Sequence, residues 1–195
     1  MIRKLLLAGT AAMMLMALNA VAYADPVTLV QGQSVTFTYQ STQFAGSSAQ
    51  ATFTLQGNQL TINYVNTSNN GTFLSGIGFN TTPDLQVSNA AFSAGSNWEF
   101  SDNGGGLGGF EMRAFGNGNN GRLAPGESGT VVLTLTSIPP SLSIDLTRAH
   151  LTSLPNGDSE KPVGAVPEPA TLLLLGTGLA GVAAKMRKRR KQLQE

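Results

Sequence analysis

Cysteine is absent from this 195-residue chain, and only one histidine is present. The first absence excludes disulfides, cysteine nucleophiles and thiolate metal sites, so stability has to come from burial. Together the two exclude a zinc site built from several protein nitrogens and sulfurs. Charge is scarce as well, at 12%. Between residues 25 and 166 nine acids stand against four bases, a balance of −5, while the basic excess sits at the two ends. An acidic middle lacks the cations that neutralise phosphates, which argues against nucleic acid as a partner. A helical period of useful length is missing between Asp25 and Val166.

What is present begins with an export signal. Arg3 and Lys4 precede the apolar run Leu5 to Leu18, and Ala22-Tyr23-Ala24 gives the small-x-small pattern around Ala22 and Ala24. Residues 1–24 therefore read as a signal-peptide helix, cut by signal peptidase after Ala24. From Asp25 the pattern changes to period two. Val35, Phe37 and Tyr39 alternate with Thr36 and Thr38. Phe53 and Leu55 lead through Gly57-Asn58 to Leu60, Ile62 and Tyr64, a hairpin with a two-residue loop. Val131, Leu133 and Leu135 alternate in Thr130 to Thr136, and Leu142, Ile144 and Leu146 in Ser141 to Thr147. With 23 glycines to make tight turns, the fold class is all-β. The expected architecture is an antiparallel β-sandwich of about eight to ten short strands over residues 25–152. The glycine-rich Asn103 to Gly109 reads as a flexible loop, and residues 153–166 as a polar linker.

The C-terminal stretch has three parts. Pro167-Glu168-Pro169 is held extended, because each proline fixes φ and pushes the residue before it out of the helical region. Ala170 to Ala184 carries no charge and reads as a transmembrane helix over 170–184, about 22 Å long and short of the ~30 Å hydrocarbon core. Lys185, Arg187, Lys188, Arg189, Arg190 and Lys191 then form a basic tail over 185–191. By the positive-inside rule it stays cytoplasmic as a stop.

This order of parts, over residues 167–191, resembles the PEP-CTERM sorting signal of Gram-negative bacteria. The resemblance implies recognition at Pro167, Glu168 and Pro169 by an exosortase, a membrane-embedded transpeptidase-like enzyme, during export. It implies a precursor anchored in the inner membrane and a mature form at the cell surface or outside it. It further implies association with extracellular polysaccharide or biofilm matrix, with the β-domain as a structural or adhesive module.

Three places invite other chemistry. His150 is the one imidazole, without a Gly-x-Ser-x-Gly elbow to serve. Asp102-Asn103-Gly104 and Asp158 offer oxygens suited to calcium, but the loop from Asp102 lacks a glutamate at its twelfth position, where Arg113 stands. Glu99 and Glu111 flank the glycine-rich loop with Trp98 alongside, the elements of a sugar-stacking platform or a glycosidase pair. Each reads better as ordinary strand and loop chemistry. The expectation is therefore no catalytic residue, no metal and no cofactor. A carbohydrate-binding module and a secreted hydrolase are the alternatives. Burial of Trp98 would weaken the first, and separation of the two carboxylates the second.

Overall fold

A computed structural model describes residues 26–93, 97–103, 106–114 and 121–166. The signal-peptide helix with Ala22 and Ala24, the Pro167-Glu168-Pro169 motif, the apolar helix and the basic tail lie outside the described residues. Among the described residues there is no helix. Eleven strands form instead: β1 (Val27–Val30), β2 (Ser34–Gln40), β3 (Ser48–Gln56), β4 (Gln59–Asn66), β5 (Phe73–Thr82), β6 (Val87–Phe92), β7 (Trp98–Ser101), β8 (Phe110–Ala114), β9 (Ser128–Leu135), β10 (Ser141–Thr152) and β11 (Ser159–Glu160). One antiparallel sheet runs β1-β10-β5-β8-β7, with β11 added on β10. The other runs β2-β3-β4-β9-β6.

The two sheets pack face to face as the alternation requires. In β2, β3 and β4, Phe37, Tyr39, Phe53, Leu55, Leu60, Ile62 and Tyr64 point inward and are buried. Phe53 meets Phe37 of its own sheet edge-on at 5.5 Å and Phe79 of the facing sheet at 5.3 Å. Edge-to-face contact is the arrangement that aromatic quadrupoles favour. The Tyr39 hydroxyl reaches Thr147 of β10 at 2.5 Å, so a buried polar pair also crosses between the sheets. Burial pushes the Tyr39 phenol up, against the pull of that bond, and it stays neutral.

The Gly57-Asn58 hairpin forms as its sequence predicts, with β3 and β4 paired from Gln56↔Gln59 to Ala49↔Asn66. Gly57 has φ +59°, on the left-handed side that glycine tolerates. β10 departs from the expected alternation. A register shift between Ile144 and Leu146 inserts one residue, Asp145, and reverses which side chains face in. Leu142 and Ile144 are buried before the bulge, and Thr147, Ala149 and Leu151 after it, while Leu146 is only half-buried. The strand thus runs on through Thr152, well past Thr147, where its hydrophobic alternation ends.

Two expectations about loops need correcting. Residues 106–109 do not hang free. Leu107 is buried over Gly76 and Gly78 of β5. Those glycines leave the groove that its side chain fills, and a Cβ on Gly78 would collide with the Leu107 backbone and Cβ. Residues 153–166 are likewise built into the fold, as described next. Replacing Gly78 with Val should displace Leu107 at a cost of about 1–3 kcal/mol, the range for overpacking. Limited proteolysis should then cut at 103–109, where the parent protein resists.

Candidate functional site

The described chain ends in a strap, residues 154–166, that leads into the Pro-Glu-Pro motif. Leu154 is buried and opens a tight turn in which Gly157 N–H donates to Leu154 O (2.7 Å) and Leu154 N–H to Asp158 O (3.1 Å). β11 then pairs with the end of β10 through Leu151↔Glu160 and Thr152↔Ser159. Further on, Ala149 N–H donates to Pro162 O (3.1 Å) and Gly164 N–H to Thr147 O (2.8 Å). Ala165 crosses to the other sheet and exchanges two bonds with Thr38 of β2, at 2.8 and 2.9 Å. Val166 is half-buried against the core. The strap therefore ties the edge of one sheet to the edge of the other.

Two residues make this crossing possible. Gly164 approaches so closely that a Cβ there would lie 2.6 Å from Thr147 Cγ2 and 2.8 Å from the Tyr39 ring. Glu160 fixes the strap laterally: one carboxylate oxygen accepts from Thr42 N–H (3.0 Å) and Thr42 O–H (2.6 Å), the other from Ser41 O–H. Partial burial opposes its charge, but the bonds from Ser41, Thr42 and Gln43 outweigh this and hold the carboxyl below its ordinary value. Neither residue stood out in the sequence. The apolar residues Leu154, Val163, Ala165 and Val166 were the available signal, obscured by Pro, Gly and charge between them.

His150 lies on β10 with Nδ1 3.0 Å from Ser75 Oγ, and the same hydroxyl donates to His150 O at 3.2 Å. Ser75 is buried, so the pair ties β10 to β5 at a register shift. Burial first, then Lys161 and Arg122, hold the imidazole pKa below its ordinary value, with Glu111 opposing. Both groups, His150 and Glu160, therefore bind protons more readily unfolded than folded. Their stabilisation is full above the unfolded values and is lost as pH falls through the folded ones. The urea midpoint should decline first as pH drops below about 6.5, from His150, and again below about 4.5, from Glu160. Glu160→Gln should flatten the second decline alone.

Glu99 and Glu111 occupy the same face of neighbouring strands, through Glu99↔Arg113 and Ser101↔Glu111. Each is already engaged. Glu99 pairs with Arg113 at 3.1 Å, both half-exposed. Glu111 is buried and accepts from Gly106 N–H (3.1 Å) and Leu107 N–H (2.6 Å), which is what clamps the glycine-rich loop. Trp98 is 5% exposed, lies 4.6 Å from the Tyr64 ring and donates to Gly121 O at 2.5 Å. Its face is covered, so it offers sugars no platform. A cleft of about 480 Å³ adjoins it, lined by Tyr64, Trp98, Arg122 and Glu127 but by neither of the paired glutamates. Asp102 and Asp158 bond to Asn103 and Asn156 beside them. Among the described residues no group of three or more His, Asp or Glu converges to hold a metal.

No curated protein and no solved structure matches the chain. A family model, the PEP-CTERM protein-sorting motif, matches residues 165–190. That match begins on Ala165, which Thr38 holds, and covers Pro167, Glu168 and Pro169, the apolar run and most of the basic tail. The chain thus carries a PEP-CTERM sorting signal joined without a spacer to a closed two-sheet β-domain.

Proposed function

We propose that this is an exported surface protein, delivered by its sorting signal to an exosortase that cuts at or beside Pro167-Glu168-Pro169. In this reading signal peptidase removes residues 1–24, and the apolar helix and basic tail hold the precursor in the inner membrane. The β-domain then reaches the cell surface or the medium as a structural or adhesive module of the extracellular matrix rather than as a catalyst. The observation that carries the reading is the sorting-motif match over residues 165–190. The engagement of Glu99, Glu111 and Trp98 in holding the fold favours a non-catalytic module over a hydrolase.

Mass spectrometry of the protein recovered from the cell surface tests it. The mature chain is expected to begin at Asp25 and to end near Pro169. A mature form that keeps residues 170–191 would overturn the sorting role.

A further inference from the structure

The β2-β3-β4-β9-β6 sheet carries no charged residue in any of its five strands. This follows from a run in the sequence: from Pro26 to Pro83 there is no Asp, Glu, Lys, Arg or His. The fold then sorts the chain. Glu99, Glu111, Arg113, Asp145, Arg148 and His150 all lie on strands of the other sheet. Typical soluble domains are about 25% charged and carry those residues mostly at the surface, so a whole sheet face without charge needs an account.

The outward face of this sheet is mostly a mesh of hydroxyls and amides, with Val65 and Val132 among them. Cross-strand register puts Thr36, Thr52, Asn63 and Thr130 side by side on β2, β3, β4 and β9. A second row joins Ser34, Thr54 and Thr61 and ends on Val132 of β9. Neighbours are bonded: Ser34 to Thr54 (2.7 Å), Thr36 to Thr52 (2.8 Å) and Thr130 O–H to Asn63 Oδ1 (2.7 Å). These bonds fix the hydroxyls, yet each bonded pair keeps a donor and several lone pairs for a partner. Strand spacing sets the mesh at roughly 4.8 Å by 6.7 Å, the scale of a sugar ring.

We propose that this face binds a neutral polysaccharide. The inference deepens the surface-protein reading and rests on it for a setting where such a polymer is met. Elimination and complementarity support it together. The face offers no cation to a nucleic acid or acidic polymer. It has no aromatic, Met or Arg anchor of the kind that dominates protein–protein interfaces. Its two outward valines, Val65 and Val132, are too little apolar surface for a membrane, and it has no basic rim. A neutral sugar polymer presents groups that both donate and accept, in repeat, and this mesh does the same. Single contacts are weak, so affinity comes from repetition along the polymer.

The full chain in detergent should be retarded in native gels containing a soluble neutral β-glucan or galactomannan, and not in gels containing alginate. Thr36→Val, Thr52→Val, Thr61→Val and Thr130→Val together remove hydroxyls while keeping shape and strand propensity. Their combination should raise the apparent Kd at least about tenfold, with the urea midpoint kept. Asn63→Glu, at an exposed position in the middle of the mesh, is the second variant and should have the same effect. Glu99→Gln with Arg113→Gln, on the other sheet, should leave retardation intact. The proposal is overturned by retardation in neither neutral polymer, by equal retardation in alginate, or by both mesh variants binding as the parent does. Sedimentation showing self-association that the mesh variants abolish would assign the face to a second copy instead. Binding is measured in vitro, so its failure leaves the processing result untouched, and failed processing leaves the binding result untouched.

Discussion

Replacing Pro167, Glu168 and Pro169 with alanine is expected to stop maturation, with full-length protein accumulating in the inner membrane and the processed form falling to background. The reason is conformational as well as chemical. A proline restricts its own φ to near −65° and disfavours the helical region for the residue before it, so the motif is expected to meet the enzyme extended. Alanine has the highest helix propensity of all residues. A triple alanine joined to Ala170-Thr171-Leu172 would favour helix through the motif instead. The recognised shape would be lost together with the carboxylate. Immunoblots of inner-membrane and surface fractions against the parent strain provide the measurement. A surface form at parental level would exclude these residues as the recognition element. The strap adds a constraint, because Ala165 is bonded twice to Thr38 and Val166 rests on the core. Only Pro167, Glu168 and Pro169 then lie between the body of the domain and Ala170. Fully extended these three residues span about 10–11 Å, so an enzyme that cuts there has to work close beside the folded domain.

Phe53→Ala should cause the largest loss of stability, about 3–5 kcal/mol. Phe53 is fully buried and stands at the centre of the core, in edge-on contact with Phe37 on its own sheet and Phe79 on the other. Truncation removes transfer free energy and leaves a cavity that two hydrogen-bonded sheets cannot close around. With no disulfide in the chain, nothing covalent limits the loss. With an m-value of about 2 kcal/mol/M in urea, the midpoint should fall by roughly 2 M. A fall under about 0.5 M would mean that the core is plastic and that the inter-sheet ring contacts carry little.

Much of the fold is legible in the residues themselves. Period-two alternation marks β2, β3, β4 and β9, because a strand with one dry face must place every second side chain inward. The Gly57-Asn58 turn announces its hairpin for the same local reason. β10 is legible only to its bulge: one inserted residue at Asp145 reverses the phase, and the sequence does not mark where that happens. β11 and the strap are too short to show a period, and their partners Thr38 and Thr42 lie more than a hundred residues away, and Thr147 seventeen from Gly164, with no rule to connect them.

Sites divide in the same way. The sorting signal is linear: proline geometry, an apolar length and a block of cations act through chain order, so the sequence by itself was enough to recognise it, and the family model matches residues 165–190. The sequence also determined that the first half of the β-domain would be without charge. Which side chains share a surface was decided only by tertiary structure, because pairing brings together residues such as Thr36, Thr52, Asn63 and Thr130. Packing decided that Glu111 clamps a loop, that Trp98 is covered, and that residues 154–166 close the domain. A buried carboxylate needs donors and a glycine groove needs a side chain to fill it, and those partners come from distant parts of the chain.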